Sequence, residues 1–312
     1  MTAYILRRIW QMAPTMLGVI VLVFILFNWV GGDPAYILAG KMSNPEMIAN
    51  IRKQLGIDQP YYVQLWIFIK QIVTFDFGAS WSTGEAVSSI IATRLGPSFT
   101  VLVPLTIIET LVAIALALAI AFKRGTLTDR AVMIACTMGM SVSILVYIIV
   151  GQYVFAYKFG LFPVQGWGDN FAENLFKYSA LPILIALAVG VAPSLRLFRT
   201  FVLDEVNQDY VRTARAKGVS ERRVKWVHVL RNASIPIITH VMSNLPALLI
   251  GAFLIERFFS IPGIGREVIL AVERSDFPVI KAITVYVAAA TMLFNLLTDL
   301  LYQAVDPRVQ LK

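Results

Sequence analysis

Residues 97–122 read PSFTVLVPLTIIETLVAIALALAIAF. Glu109 is the one charged side chain in the run, and the apolar residues fill every face of the helix they would form. A helix at a water interface keeps its apolar residues to one stripe. A bilayer core about 30 Å thick needs roughly 20 apolar residues in succession. The run therefore predicts a membrane-spanning helix, ended by Lys123 and Arg124. Working outward, five further blocks of the same kind are expected at 9–30, 131–155, 180–197, 236–255 and 279–303. Pro104 and Pro246 are candidate kink sites in their helices. The block at 9–30 follows Arg7 and Arg8, like the apolar core of a signal peptide. It is longer than such cores, and GGDP rather than a small-residue cleavage site comes after it, so an uncleaved first helix is expected.

Composition agrees with the blocks. Of 312 residues, 58% are hydrophobic and 15% charged, against about a quarter charged in soluble domains, and mean hydropathy is +0.72. The net charge of +8 would suggest nucleic acid in a soluble protein. Here the cations sit between apolar blocks, where bacterial membrane proteins carry them on cytoplasmic loops, so no nucleic-acid partner is expected. With the N-terminus inside, the pieces 1–8, 123–130, 196–235 and 304–312 hold 16 of the 27 Lys and Arg in 65 residues. That bias predicts six spans with both termini cytoplasmic. The single cysteine, Cys136, lies in an apolar block and allows neither an intrachain disulfide nor a cysteine metal cluster. His228 and His240 lack ligand-like neighbours in sequence and read as structural.

Three domains are expected: a first helix (1–30), an extracytoplasmic region (31–96), and a five-helix core (97–312) containing the most charged stretch, 200–235. The region 31–96 is expected to form two amphipathic helices on the outer membrane surface. They lie at 46–55 and 61–75, the second with Leu65, Ile69 and Ile72 at helical spacing. The charged stretch reads NQDYVRTARAKGVSERRVKWVHVLRN over 207–232. Tyr210, Val211 and Ala214 share a helical face, with Arg212 and Arg215 elsewhere. Gly218 suits the left-handed residue that ends a helix. Ser220 suits the next N-cap, and Val219 and Val224 stand at the two positions of a hydrophobic staple. A helix, a sharp bend and a second helix are expected, with Ala214 and Ala216 small enough for another surface to approach.

This loop resembles the EAA loop of ABC importer permeases, in the form found in the dipeptide, oligopeptide and nickel subfamily. VGGDPA at 30–35, LGIDQP at 55–60, FDFGAS at 75–80, FSIPGIG at 259–265 and DPR at 306–308 are similar to that family's other signatures. Arg212, Thr213 and Ala214 stand where the general pattern has Glu-Ala-Ala, and Gly31 stands where proline is usual. The resemblance implies an all-α, six-helix type I importer permease in the bacterial inner membrane. Its partners would be a homologous second permease in a heterodimer, two cytoplasmic ATPases, an extracytoplasmic solute-binding protein and membrane lipids. ATPase coupling would fall to Asp209, Tyr210, Ala214, Ala216, Gly218, Ser220, Arg222 and Arg223. The chain has no phosphate loop of the GxxxxGK[ST] type, so no cofactor is expected in it; ATP and Mg would bind the ATPases, and no catalytic or metal-binding residue is expected.

Glu109 and Asn244 are candidates for the translocation path, because ionisable and polar groups at membrane depth face protein or water. The alternative for Glu109 is a polar partner on a neighbouring helix or subunit. Asn28, Asn244, Asn295 and Asp299 are expected to bond across helices, Asp299 with a loop cation. Pro262, Gly263 and Gly265 are candidates for an outer gate, with an ordinary tight turn as the alternative. An ion-coupled secondary transporter would show inverted halves and broken midplane helices, neither of which the sequence displays. A redox subunit would need haem-ligating histidines, and His240 alone is insufficient.

Overall fold

The computed structural model describes residues 2–30, 34–39, 44–246 and 251–305. Helix α1 (Thr2–Ile25) is followed by the short helices α2 (Pro34–Ala39), α3 (Pro45–Leu55) and α4 (Tyr61–Thr74). Asn44 caps α3 by accepting from the Met47 N–H at 2.8 Å, Pro45 occupies its first position, and Gly56 ends it at φ +66°. These are the start and stop signals that the physics of helix ends requires. Next come α5 (Val87–Ala121), α6 (Leu127–Ser141), α7 (Ile144–Gly151), α8 (Phe171–Glu173) and α9 (Ala180–Val206). The remainder is α10 (Asp209–Ala216), α11 (Glu221–Arg223), α12 (Leu230–Asn244), α13 (Phe253–Phe258), α14 (Ile264–Glu273) and α15 (Phe277–Val305). Among the described residues no strand forms beyond one bridge between Ala79 and Ala86.

Helices α5 and α9 form the spine and run in the same direction. Three buried clusters are strung along them. Val87, Ile90 and Ile91 meet Ile264, Val279 and Ala282. Val101 meets Ile148, Leu181 and Ile261. Ala113, Ala117 and Ala121 meet Leu195, Phe198 and Val202. The small residues let α5 and α9 approach closely, as helix packing in lipid requires. The end with residues 44–86 is called the upper end here, and that with 207–229 the lower end. Helix α1 packs antiparallel to α15: Phe27 meets Phe277 edge-on at 5.5 Å near the top, and Arg8 pairs with Asp299 at 2.7 Å near the bottom. Its other face presents Leu17, Leu22, Ile25 and Trp29, all exposed, an apolar surface fit only for lipid or another membrane chain.

The spans differ from expectation in instructive ways. Among the described residues four helices are long and apolar enough to cross a membrane: Leu6–Trp29, Val87–Ala121, Ala180–Val206 and Phe277–Leu300. The block at 131–155 is not one helix. Leu127–Ser141 and Ile144–Lys158 meet at 90°, because Val142 is extended and Ser143 caps a new helix by accepting from the Leu145 N–H. Helix α5 begins at Val87 rather than at 97 and passes through Pro97 and Pro104. The block at 236–255 is also not one helix through the described residues. Helix α12 starts at Leu230 and stops at Asn244, two residues before Pro246, and residues 247–250 lie outside the described ones. Leu245 still has helical dihedrals at φ -56° and ψ -35°, so the helix geometry runs up to the proline. The six expected spans thus appear as four continuous helices, one bent pair and α12. The VGGDPA and DPR signatures fall largely outside the described residues.

Candidate functional site

At the lower end α9 runs on to Val206, and α10 turns back beneath it. Val211 and Ala214 are buried in the cluster with Phe198 and Val202, and Tyr210 packs against it. The Tyr210 hydroxyl donates to the Glu205 carboxylate. Burial pushes that hydroxyl up to about 12, so it stays a neutral donor at physiological pH. Helix α10 ends as its sequence anticipates. Gly218 has φ +76°, its N–H donates to Arg215 O at 2.9 Å, and the Val219 N–H donates to Ala214 O at 3.2 Å. This bond pair is a Schellman closure, with Val219 packed back on the same cluster as Ala214. Val224 is fully buried there, so both staple residues are seated. Ser220 occupies the N-cap position of α11, but its side chain accepts no capping bond.

Two contacts that the spacing did not announce hold the bend. Arg215 forks onto Glu221 at 2.7 and 3.2 Å, which holds the Glu221 carboxyl below the usual carboxylate range. The Phe122 ring at the end of α5 lies under Lys225 at 4.7 Å and Arg215 at 5.9 Å. The loop is thereby tied to the end of the helix that carries Glu109. Asp209, Ala216, Gly218, Ser220, Arg222 and Arg223 are exposed, as is Trp226. Ser220, Arg222, Arg223 and Trp226 line one shallow depression. Ala214 is not part of that outer surface; it is buried against its own chain.

Within the bundle Glu109 reaches from α5 to α9. It accepts from the Ser194 hydroxyl at 2.6 Å and lies over Gly190, where a Cβ would come within 2.7 Å of its carboxylate. A glycine there makes room for the acid. Asn244 is exposed and bonds along its own helix, donating to His240 O at 2.9 Å. Asn28 likewise donates to Phe24 O at 3.0 Å on its own helix. Neither makes the cross-helix bond expected, because each finds the carbonyl four residues back first. Asp299 does pair across helices, with Arg8.

A bent basic loop is thus tied to a spanning spine in a chain of apolar helices. Residues 111–311 match the family model for the binding-protein-dependent transport system inner membrane component. Residues 1–103 match the model for the N-terminal part of such membrane components. The chain belongs to this family. Its relatives include a glutathione transport system permease protein of Salmonella choleraesuis, 35% identical over 100% of both chains. A probable peptide ABC transporter permease protein of Sinorhizobium fredii is 33% identical over 99% of this chain and 100% of its own. A putative peptide transport system permease protein of Brucella abortus is 35% identical over 99% of both. The fold is therefore that of a type I ABC importer permease, a polytopic protein of the inner membrane.

In this permease the upper end holds buried acids that the sequence reading passed over, among them Glu256 and Asp276. Glu256 is 0% exposed. It accepts from Ser98 Oγ at 2.8 Å, the Ala252 N–H at 3.1 Å and the Arg266 N–H at 3.0 Å. Burial pushes its carboxyl up, against the pull of those donors. The candidate gate residues close around it: a Cβ at Gly263 would lie 2.3 Å from its carboxylate, and one at Gly265 3.1 Å. Pro262 precedes Gly263 in the turn, and Ser98 Oγ also accepts from the Ile264 N–H at 2.9 Å. The glycines thus make room for a buried carboxyl, a closer approach than an ordinary turn needs. Asp276, 2% exposed, accepts from both Ser80 and Ser82 hydroxyls and from the Trp81 N–H, clasping the FDFGAS segment to the start of α15. In sequence Glu256 stands beside Arg257 and Asp276 beside Ser275, so each looked like an ordinary loop charge.

Proposed function

We propose that this permease is a transmembrane subunit of an ATP-driven importer of di- or oligopeptides. It forms part of the translocation path and passes ATPase motion to it through the loop at 207–229. The observation that carries the reading is the lower-end loop. It is a Schellman-closed, Arg–Glu-strapped bend whose outer surface is basic and exposed and whose inner surface is fused to the spine of α5 and α9. A rigid bend of this kind transmits a push; a flexible basic loop would absorb it. Asp209, Ala216, Gly218, Ser220, Arg222 and Arg223 supply the contact surface, with Tyr210 and Ala214 holding it from behind. ATP and Mg bind the partner ATPases, not this chain. The charge bias supports a cytoplasmic position for the lower end and both termini, with the upper end outside facing a solute-binding protein. A second, related permease completes the path, since one chain of this size surrounds too little space for a peptide.

Peptide cargo follows from the relatives' names, and glutathione, itself a tripeptide, is the second reading on the same ground. The test is reconstitution into liposomes of the permease with and without its neighbouring gene products. The full set is expected to import a labelled dipeptide on ATP, and the isolated chain neither to import it nor to hydrolyse ATP. ATPase activity or uptake by the isolated chain overturns the division of labour. Uptake of glutathione but of no ordinary di- or oligopeptide replaces the cargo.

A further inference from the structure

Two sequence stretches remain unused by the coupling mechanism, LGIDQP at 55–60 and FDFGAS at 75–80. They converge on one cavity at the upper end, about 350 Å³ in volume, walled also by α1, α4 and the start of α15. Ligand pockets begin at roughly this size. Leu55, Gly56 and Ile57 come from the first stretch, and Phe77, Gly78 and Ala79 from the second.

Lys281, on the second turn of α15, lines this cavity. Its ammonium lies 5.6 Å from the Phe27 ring centroid and 5.8 Å from that of Phe68. Among the described residues no carboxylate pairs with it; Asp276, five residues back, is occupied by Ser80, Trp81 and Ser82. A half-buried ammonium flanked by ring faces favours an anion beside it, because a desolvated charge is costly until it is paired. The lining holds that one cation and no acid, so a single negative charge matches it.

The rest of the wall bears on which anion. Asn28, Gln54, Gln64 and Gln71 all line the cavity. Both Gln64 amide hydrogens are spent on Ile57 O at 3.0 Å and Gln59 O at 2.8 Å, and the Asn28 amide donates to Phe24 O, leaving carbonyl oxygens to accept. A cation at the floor with carbonyl acceptors on the wall suits a molecule that carries a carboxylate and N–H groups together.

We infer that the Lys281 cavity binds the carboxylate of a small peptide-like solute on the outer side of the permease. The choice of a peptide as the carboxylate's bearer, and of the outer side, rests on the proposed function; the anion site itself rests on Lys281 and its surroundings. The experiment uses the membrane complex without its soluble binding protein, in nanodiscs of phosphatidylcholine alone. The probe is Ala-Ala, followed by saturation-transfer NMR. Wild type is expected to bind Ala-Ala at least about tenfold more tightly than its C-terminal amide, the scale of a charge-assisted hydrogen bond. Lys281→Met is expected to lose that preference and Lys281→Arg to keep it. Gln71→Glu, which leaves the lysine in place and adds an acid to the wall, is expected to weaken Ala-Ala by a similar factor. This keeps the test decisive if Lys281→Met fails to assemble. Equal binding of the acid and the amide, or an unaltered preference in an assembled Lys281→Met complex, overturns the inference. So does displacement of Ala-Ala by phosphatidylglycerol in the disc, which assigns the cavity to a lipid headgroup. Uptake is read separately: carboxylate-dependent binding at Lys281 without Ala-Ala uptake retires the peptide cargo and keeps the anion site.

Discussion

At the scale of single residues, Gly218 shows how a backbone angle becomes a mechanical part. Its φ of +76° is a conformation that L side chains rarely adopt, yet a Cβ there would meet nothing within 4 Å. Substitution is therefore opposed by backbone strain and not by crowding. Strain of this kind costs about 1–3 kcal/mol for a β-branched residue, enough to shift the bend's population roughly tenfold. Gly218→Val is expected to lower solute uptake at least about fivefold at normal membrane abundance, while Gly218→Asn, which tolerates the left-handed region, is expected to retain most of it. Uptake assays on the two variants in the assembled importer check this, and equal uptake by both removes the bend from coupling. Glu109 is a second case. Its carboxylate fits because Gly190 lacks a side chain and Ser194 offers a hydroxyl, so Gly190→Ala is expected to destabilise the assembled complex more than Ser194→Ala. Comparison of their melting temperatures tests the order.

At the scale of elements, the stretch from α13 to α14 is organised around a buried acid. Removing Glu256 leaves Ser98 and the Ala252 and Arg266 N–H groups without their acceptor, at about 1–3 kcal/mol for each buried group. Glu256→Ala is therefore expected to lower the melting temperature of the complex strongly. Glu256→Gln is expected to be milder, since burial already favours a neutral side chain there. Gly263→Ala is expected to destabilise as well, because its Cβ would lie 2.3 Å from the Glu256 carboxylate. The double variant Glu256→Ala/Gly263→Ala should then lose less than the sum of the two, because the clash with the carboxylate goes and only that with Ser98 Oγ remains. Thermal melts of the four proteins, followed by size-exclusion of the heated samples, measure the coupling. Strict additivity counts against a direct contact.

At the scale of the whole molecule, the argument concerns orientation and assembly. The clustering of Lys and Arg predicts that the loop at 207–229 lies inside and the segment at 44–86 outside. In a Cys136→Ser background, Asn50→Cys is expected to react with a membrane-impermeant maleimide in intact cells, and Arg222→Cys only after permeabilisation. Reaction of Arg222→Cys in intact cells inverts the topology. The exposed apolar face of α1 and the half-exposed spine carry a related implication. Only 11% of the α1 span and 28% of the α5 span are buried within the chain, which leaves much apolar surface for lipid or for the second permease proposed above.

The apolar blocks, the loop charges and the helix-end residues are local features, and each acts within a turn or two of itself. The sequence alone therefore determined the all-α membrane class, helices α3 and α4, the positive φ at Gly218 and the staple of Val219 and Val224. Apolar block length misjudged what capping and packing decide. Ser143 begins a new helix inside an apolar run, and α5 starts ten residues early because its first turns pack on Ile264 and Val279. Contacts distant in sequence were settled by tertiary structure alone. Ser98 meets Glu256 across 158 positions, Ser80 meets Asp276 across 196, and Lys281 reaches the rings of Phe27 and Phe68. A charge beside a loop looks the same in sequence whether water or protein surrounds it, and only the packing of remote elements determines which. That is why the buried acids and the Lys281 cavity came from the fold, while the bend at Gly218 was already written in the order of its residues.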